Sequence, residues 1–142
     1  MEKMSWEEFE NGLKNVKTVL IPLGSTEEHG PHLPLFTDSL VALELARRLG
    51  AKTSIIVAPL IPYGVCRTTA SFPGTITISF ESLKALVKEV CERFYKQGAR
   101  CIILLSGHLG TAQMTALTLA AQELTEKFPN LRIAVPNLAN IL

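Results

Sequence analysis

A chain of 142 residues and 15.5 kDa has the length of one compact domain and too little for two independent cores of ordinary size. Its 14 Lys plus Arg against 13 Asp plus Glu leave a net charge of +1, scattered along the chain, which excludes the basic patch that a nucleic-acid binder needs. A hydrophobic content of 47% with only 19% charged residues excludes a disordered chain and predicts a well-buried core or a large interface, so an oligomer is expected.

Membrane and export signals are not visible. The longest uncharged stretch, Cys101 to Gln122, is broken by Ser106, Gly107, His108, Thr111 and Gln113 and does not read as a membrane span. Met1 to Glu10 is acidic and lacks the apolar core of a signal peptide. Cys66, Cys91 and Cys101 are odd in number and widely spaced, suggesting neither a disulfide framework nor a Cys-type zinc site. Each is read as a small hydrophobe, and a reducing cytosol is the expected compartment.

In chain order, Ser5 with Glu8 three residues on is a capping-box pattern, and Trp6, Phe9 and Leu13 recur at helical spacing, predicting a short opening helix. Thr18 to Leu23 reads as a buried strand. Gly24 to Phe36, with two glycines and two prolines, reads as a long loop at that strand's carboxyl end. A helix follows, capped by Thr37 or Asp38, with Leu40, Leu43, Leu45, Ala46 and Leu49 as its apolar positions and Gly50 as a left-handed stop. Ser54 to Ile61 reads as a second strand, a loop runs from Tyr63 to Phe72, and Thr75 to Ile78 reads as a short strand. Leu83, Leu86, Val87, Val90, Cys91 and Phe94 share one face of an amphipathic helix that ends before Gly98. Cys101 to Leu105 is an apolar strand, Thr111 to Lys127 a helix, and Leu131 to Val135 a last strand.

Strands alternating with helices, and apolar enough to be covered on both faces, predict an α/β three-layer sandwich with a mostly parallel sheet flanked by helices. In such sheets ligands bind beyond the carboxyl ends of the strands. The loops Gly24–Phe36, Tyr63–Phe72 and Ser106–Gly110 are therefore expected along one edge, and two of them hold all three histidines.

Gly24 to Asp38 is the densest run of metal-ligand types in the chain. In extended backbone, residues two apart point the same way, so Glu27 and His29 can address one site while Glu28 faces elsewhere. Asp38 is placed to bridge two cations, and His108 arrives from the third loop. Two carboxylates and two imidazoles suit zinc or manganese better than calcium. Bland readings stand beside these. Glu27 is as readily a solvated carboxylate, Asp38 a helix cap, and His32 a histidine that hydrogen-bonds its own loop. Ser106-Gly107-His108 lacks the first glycine of a nucleophile elbow, and Gly107 to Gly110 has no accompanying phosphate-binding lysine.

The run Leu20-Ile21-Pro22-Leu23-Gly24-Ser25-Thr26-Glu27-Glu28-His29-Gly30-Pro31-His32-Leu33-Pro34, then Asp38, then Phe72-Pro73-Gly74-Thr75-Ile76, then Ser106-Gly107-His108, resembles the creatininase (creatinine amidohydrolase) family in content and order. The resemblance implies a parallel-sheet α/β fold with two divalent cations, zinc and/or manganese. It also implies hydrolysis of a cyclic amide or other non-peptide C–N bond in a small-molecule amide, through a metal-bridging water. Position by position it makes Glu27, His29, Asp38 and His108 the metal ligands, with no catalytic residue assignable beyond them. Ser106 stands where the family has Asn, Gly110 offers no carboxylate, and Arg67-Thr68-Thr69 fills a loop where relatives often carry Glu or His. Because the family domain is longer and Asn137–Leu142 is apolar, residues 1–142 are read as a single, truncated or split domain. A homo-oligomer or a partner chain is then expected to supply the rest. The rival reading is a catalytically incomplete metal-binding or assembly module of the same fold.

Overall fold

The computed structural model describes residues 1–140. Its sheet has four strands, β1 (Thr18–Leu23), β2 (Ile56–Val57), β3 (Cys101–Ser106) and β4 (Arg132–Ala134), in the order β2-β1-β3-β4 with every pairing parallel. Four helices alternate with them: α1 (Trp6–Asn15), α2 (Thr37–Lys52), α3 (Phe80–Gln97) and α4 (Thr111–Lys127). The predicted α/β sandwich is the observed architecture. Val19, Ile21 and Leu23 of β1 and Ile102 and Leu104 of β3 join the larger core with residues of α1, α3 and α4. The alternate residues Leu20, Ile103 and Leu105 meet Ala46 of α2 in a smaller core on the other face, as the period of two in a strand requires.

Local signals explain most element ends. Ser5 and Glu8 form the reciprocal capping box at the start of α1. Ser79 accepts from the Ser82 amide at the start of α3, and Gly98 closes that helix in the left-handed conformation, with φ 119°.

Five expectations need correction. Gly50 does not stop α2, which continues to Lys52 and ends at extended Thr53. Neither Thr37 nor Asp38 caps α2: its N-cap is Phe36 with no side-chain bond, and the Thr37 hydroxyl donates to the Pro34 carbonyl. The face of α2 that meets the sheet carries Ser39, Ala42 and Ala46, while Leu40 and Leu49 are exposed. The reason is distance: a Cβ on Gly24 would stand 2.5 Å from the Ser39 Cα, and one on Gly107 3.1 Å from the Ala42 nitrogen, so only small residues fit between backbone and helix.

The strand expected over Ser54–Ile61 shrinks to Ile56–Val57 plus one bridge between Ile61 and Leu23. Residues 75–78 form no strand. The Ile76 amide donates to Thr26 and the Ile78 amide to Gly64, two different segments, so no ladder forms. At the end, Leu138–Asn140 is a 3-10 turn, and the remaining residues of the expected apolar ending, Ile141 and Leu142, lie outside the described residues.

Candidate metal centre

The strand order reverses between β1 and β3: the chain leaves β1 toward α2 on one face, and leaves β3 toward α4 on the other. At such a switch point the two following loops diverge and leave a crevice beyond the carboxyl ends. Loop 24–36 follows β1, loop 107–110 follows β3, and loop 62–79 closes over both. Gln113, fully buried at the start of α4, ties the three together. Its Oε1 accepts from the Val65 amide at 3.0 Å, and its Nε2 faces the Gly24 carbonyl and the Ser106 hydroxyl.

Within the crevice the structure brings Glu27, His29, Asp38 and His108 together. Asp38, in the first turn of α2, sits between the two imidazoles: its Oδ1 is 3.1 Å from His29 Nε2, and its Oδ2 is 3.0 Å from His108 Nδ1. Glu27 Oε1 lies 2.7 Å from the same His108 nitrogen. The other nitrogen of each ring faces a carbonyl, His29 Nδ1 toward Glu27 O at 3.2 Å and His108 Nε2 toward Val65 O at 3.1 Å. A carbonyl only accepts, so those nitrogens carry the ring hydrogens. In the neutral rings, the nitrogens facing Asp38 then present lone pairs. Lone pairs and carboxylate oxygens held this close require a proton or a cation between them, and backbone-oriented imidazoles of this kind are the usual arrangement around a bound metal. The donor set therefore fits divalent cations.

The local charges follow from this geometry. Burial opposes ionisation of Asp38, but hydrogen bonds from His108 and Ser25 outweigh it and hold the carboxyl down at about 2. Burial likewise opposes a charged His108, yet Asp38 and Glu27 raise its pKa above 6.5. His29 is raised in the same direction, by the Glu27 carbonyl and Asp38 against burial. Hydroxyls complete the shell. Ser25 is shared between Glu27 Oε1 at 3.0 Å and Asp38 Oδ2 at 2.8 Å, and Thr69 donates to Glu27 Oε2 at 2.6 Å.

Glu28 is turned away, accepting from the Gly30 amide, as the alternation expects. His32 is exposed and makes no hydrogen bond among the described residues, so it does not brace its loop; its ring lies over Gly30. Ser25, Thr69, Gln113 and Cys66 were not expected at the site. Cys66 is 1% exposed, and its thiol shares a cluster with Glu27 and His108 in which one ligand atom from each lies within 4.8 Å of the others. Burial, then the charges of Glu27 and Asp38, pushes this thiol up to about 12. One signal for it was present in the sequence, a cysteine inside a loop assigned to the site edge.

A cavity of about 330 Å³ opens beside His108, lined by Val65, Arg67, Thr68, Phe80 and Thr111 among others. Larger cavities of about 580 and 650 Å³ lie along α3 and beside the N-terminus, away from these side chains.

Residues 2–140 match the family described as creatininase, creatinine amidohydrolase. A mycofactocin precursor peptide peptidase of Mycolicibacterium smegmatis is 38% identical over 111 residues, covering 74% of this chain and 44% of the relative. A zinc–zinc form of a creatininase variant superimposes with TM-score 0.85 at 22% identity, covering 99% of this chain and 58% of that one. A manganese creatininase does so with TM-score 0.82 at 20% identity and the same coverage. The chain thus spans about half the length of the proteins it matches.

Proposed function

The chain belongs to the creatininase (creatinine amidohydrolase) family, and from that premise we propose that it is a metal-dependent amidohydrolase of a small-molecule amide, cleaving a cyclic amide or another non-peptide C–N bond. The observation that carries the reading is the placement of Asp38 between His29 Nε2 and His108 Nδ1 with Glu27 alongside. Glu27 and His108 would hold one divalent cation and His29 the other, with Asp38 available to both. When bound, two such cations activate water and polarise the amide carbonyl. Val65 and Glu27 hold the imidazoles in the tautomers that ligate, and Ser25 and Thr69 orient the Glu27 carboxylate. The cavity lined by Arg67, Thr68 and Phe80 receives the amide beside His108. Zinc and manganese are both named for solved structures of the same fold, which supports a divalent ion of that kind.

Cys66, Cys91 and Cys101 are all free thiols, which supports a reducing, cytoplasmic setting. None of the described helices is long and apolar enough to cross a membrane.

Metal analysis of protein purified without chelator tests the ligand set. The wild type is expected to carry zinc or manganese, and His108→Ala and Asp38→Ala to carry less; equal contents in all three would overturn it. A second reading, a metal-binding or assembly module without turnover, is favoured by one observation. The position at His29 has Asp38 and Glu27 beside it, both also needed at His108, and position 110 is glycine and adds no carboxylate.

A further inference from the structure

We propose that Cys66 is a thiolate ligand of the cation held by Glu27 and His108, making that position a site of sulfur, nitrogen and oxygen donors selective for zinc over manganese. This rests on the metal-centre reading above and deepens it. Three observations point to it. Glu27, Cys66 and His108 are all buried, at 5%, 1% and 9% exposure, and one ligand atom from each lies within 4.8 Å of the others. Ligand atoms about 2.0–2.3 Å from one tetrahedral ion stand a little under 4 Å apart, so His108 Nδ1 and Glu27 Oε1, now 2.7 Å apart, would separate to admit the ion.

The backbone on both sides of the thiol is also held. The Thr77 hydroxyl accepts from the Cys66 amide at 2.9 Å, and Val65 spans from the Gln113 side chain to His108 Nε2. The residue beside Cys66 is thus the one that fixes the ligating tautomer of His108.

The surroundings are also wrong for a packing cysteine. Cys91 shows what that looks like, fully buried in the apolar core with Leu83 and Val87. Cys66 instead faces carboxylates. Asp38, shared with the position at His29, adds an oxygen donor, and a soft thiolate favours zinc over manganese, which prefers oxygen donors. On binding, the thiol proton passes to solvent and sulfur bonds the cation, with no redox change.

Cobalt(II) loaded into the metal-free 142-residue chain reports the ligands directly. The wild type is expected to show visible ligand-field bands and a near-ultraviolet sulfur-to-cobalt charge-transfer band. Cys66→Ser and Cys66→Ala are expected to lose the charge-transfer band and keep the visible ones; Cys91→Ala should keep both. Visible bands without a charge-transfer band in the wild type, or its persistence in both Cys66 variants, would overturn this inference and leave the metal-centre reading standing. Failure of the wild type to bind cobalt at all would overturn both.

Discussion

With Nε2 committed to the Val65 carbonyl, His108 has one nitrogen left for either a proton or a cation, and the two occupants give opposite pH dependences. His29 and His108 are both raised above 6.5 in the metal-free chain. The stability they add is full below that value and is lost as pH rises through their folded values. Asp38, held at about 2, adds stability above 3.8 that is lost as pH falls through its folded value. Metal binding runs the other way near neutrality, because only unprotonated imidazole ligates, and should weaken below about pH 6. Thermal midpoints measured from pH 5 to 8 are therefore expected to fall with pH in the metal-free protein and rise in the zinc-loaded one; parallel slopes would contradict the assignment. Gly107 is the second residue on which the site depends. A Cβ there would stand 2.0 Å from the Asp38 carbonyl oxygen, so the loop bearing His108 and the helix bearing Asp38 would have to separate. Gly107→Ala should destabilise by about 1–3 kcal/mol and lower metal content as well. A variant with wild-type denaturation and wild-type metal would show that the backbone gives way without cost.

Among the elements, α3 has its ends written most clearly in the sequence, and its two kinds of polar contact should differ in weight. Ser79 satisfies an amide at the helix start that has no partner within the helix. Ser79→Ala is expected to cost about 1 kcal/mol in urea denaturation. Glu123 of α4 reaches Lys84 and Lys88 of α3, but these groups are substantially exposed and screened. Glu123→Gln should change stability less than Ser79→Ala does, because exposed ion pairs are screened, despite bridging two helices. A larger loss from Glu123→Gln than from Ser79→Ala would show that the interhelical ion pairs, rather than the cap and the apolar face of Leu83, Val87, Cys91 and Phe94, hold α3 in place. The packing of α2 has a different basis. Its small inner face is demanded by Gly24 and Gly107, and Leu40, Val41 and Leu49 are left exposed around the rest of the helix.

Exposed apolar residues matter for the molecule as a whole. Leu40, Val41 and Leu49 on α2, and Phe72 and Ile76 on the loop beside the site, are exposed, and association is one way to cover such residues. Sedimentation at micromolar concentration is expected to show association, and Leu40→Glu with Leu49→Glu to reduce it; a clean wild-type monomer would remove the case. Activity belongs to the same scale, since it depends on whether two cations are clamped together. The position at His29 shares both its carboxylates, Asp38 and Glu27, with the position at His108, so a cation there should be held loosely. The purified chain by itself is expected to hydrolyse creatinine, formamides and small cyclic amides weakly or not at all, even with saturating zinc or manganese, the proposed activity requiring a further carboxylate at the His29 position. Robust metal-dependent turnover would mean that a ligand has been missed, and Glu28 is the first to substitute.

Periodicity and capping residues determined the alternation of strands and helices, because those signals are local: Ser5 with Glu8, Ser79, Gly98 and the apolar run Cys101–Leu105 act within a few residues of themselves. The order Glu27, His29, Asp38, His108 was legible for a related reason. Parallel strands put the loops that follow them at one edge, so chemistry in those loops converges whatever the details of packing. Tertiary contacts decided what local signals cannot carry. The face that α2 buries depends on two glycines far away in sequence: of the apolar positions read from spacing, Ala46 is buried and Leu45 packs against the smaller core, but Leu40 and Leu49 stay exposed. The strand over Ser54–Ile61 is limited by the partner bonds available to it, and Thr75–Ile78 is divided between two loops. The site's inner shell was hidden most completely. Cys66 looks like a small apolar residue until the second loop folds over β1 and β3 and sets its thiol beside Glu27 and His108. Gln113 looks like an ordinary helix residue until Gly24, Val65 and Ser106 close around it.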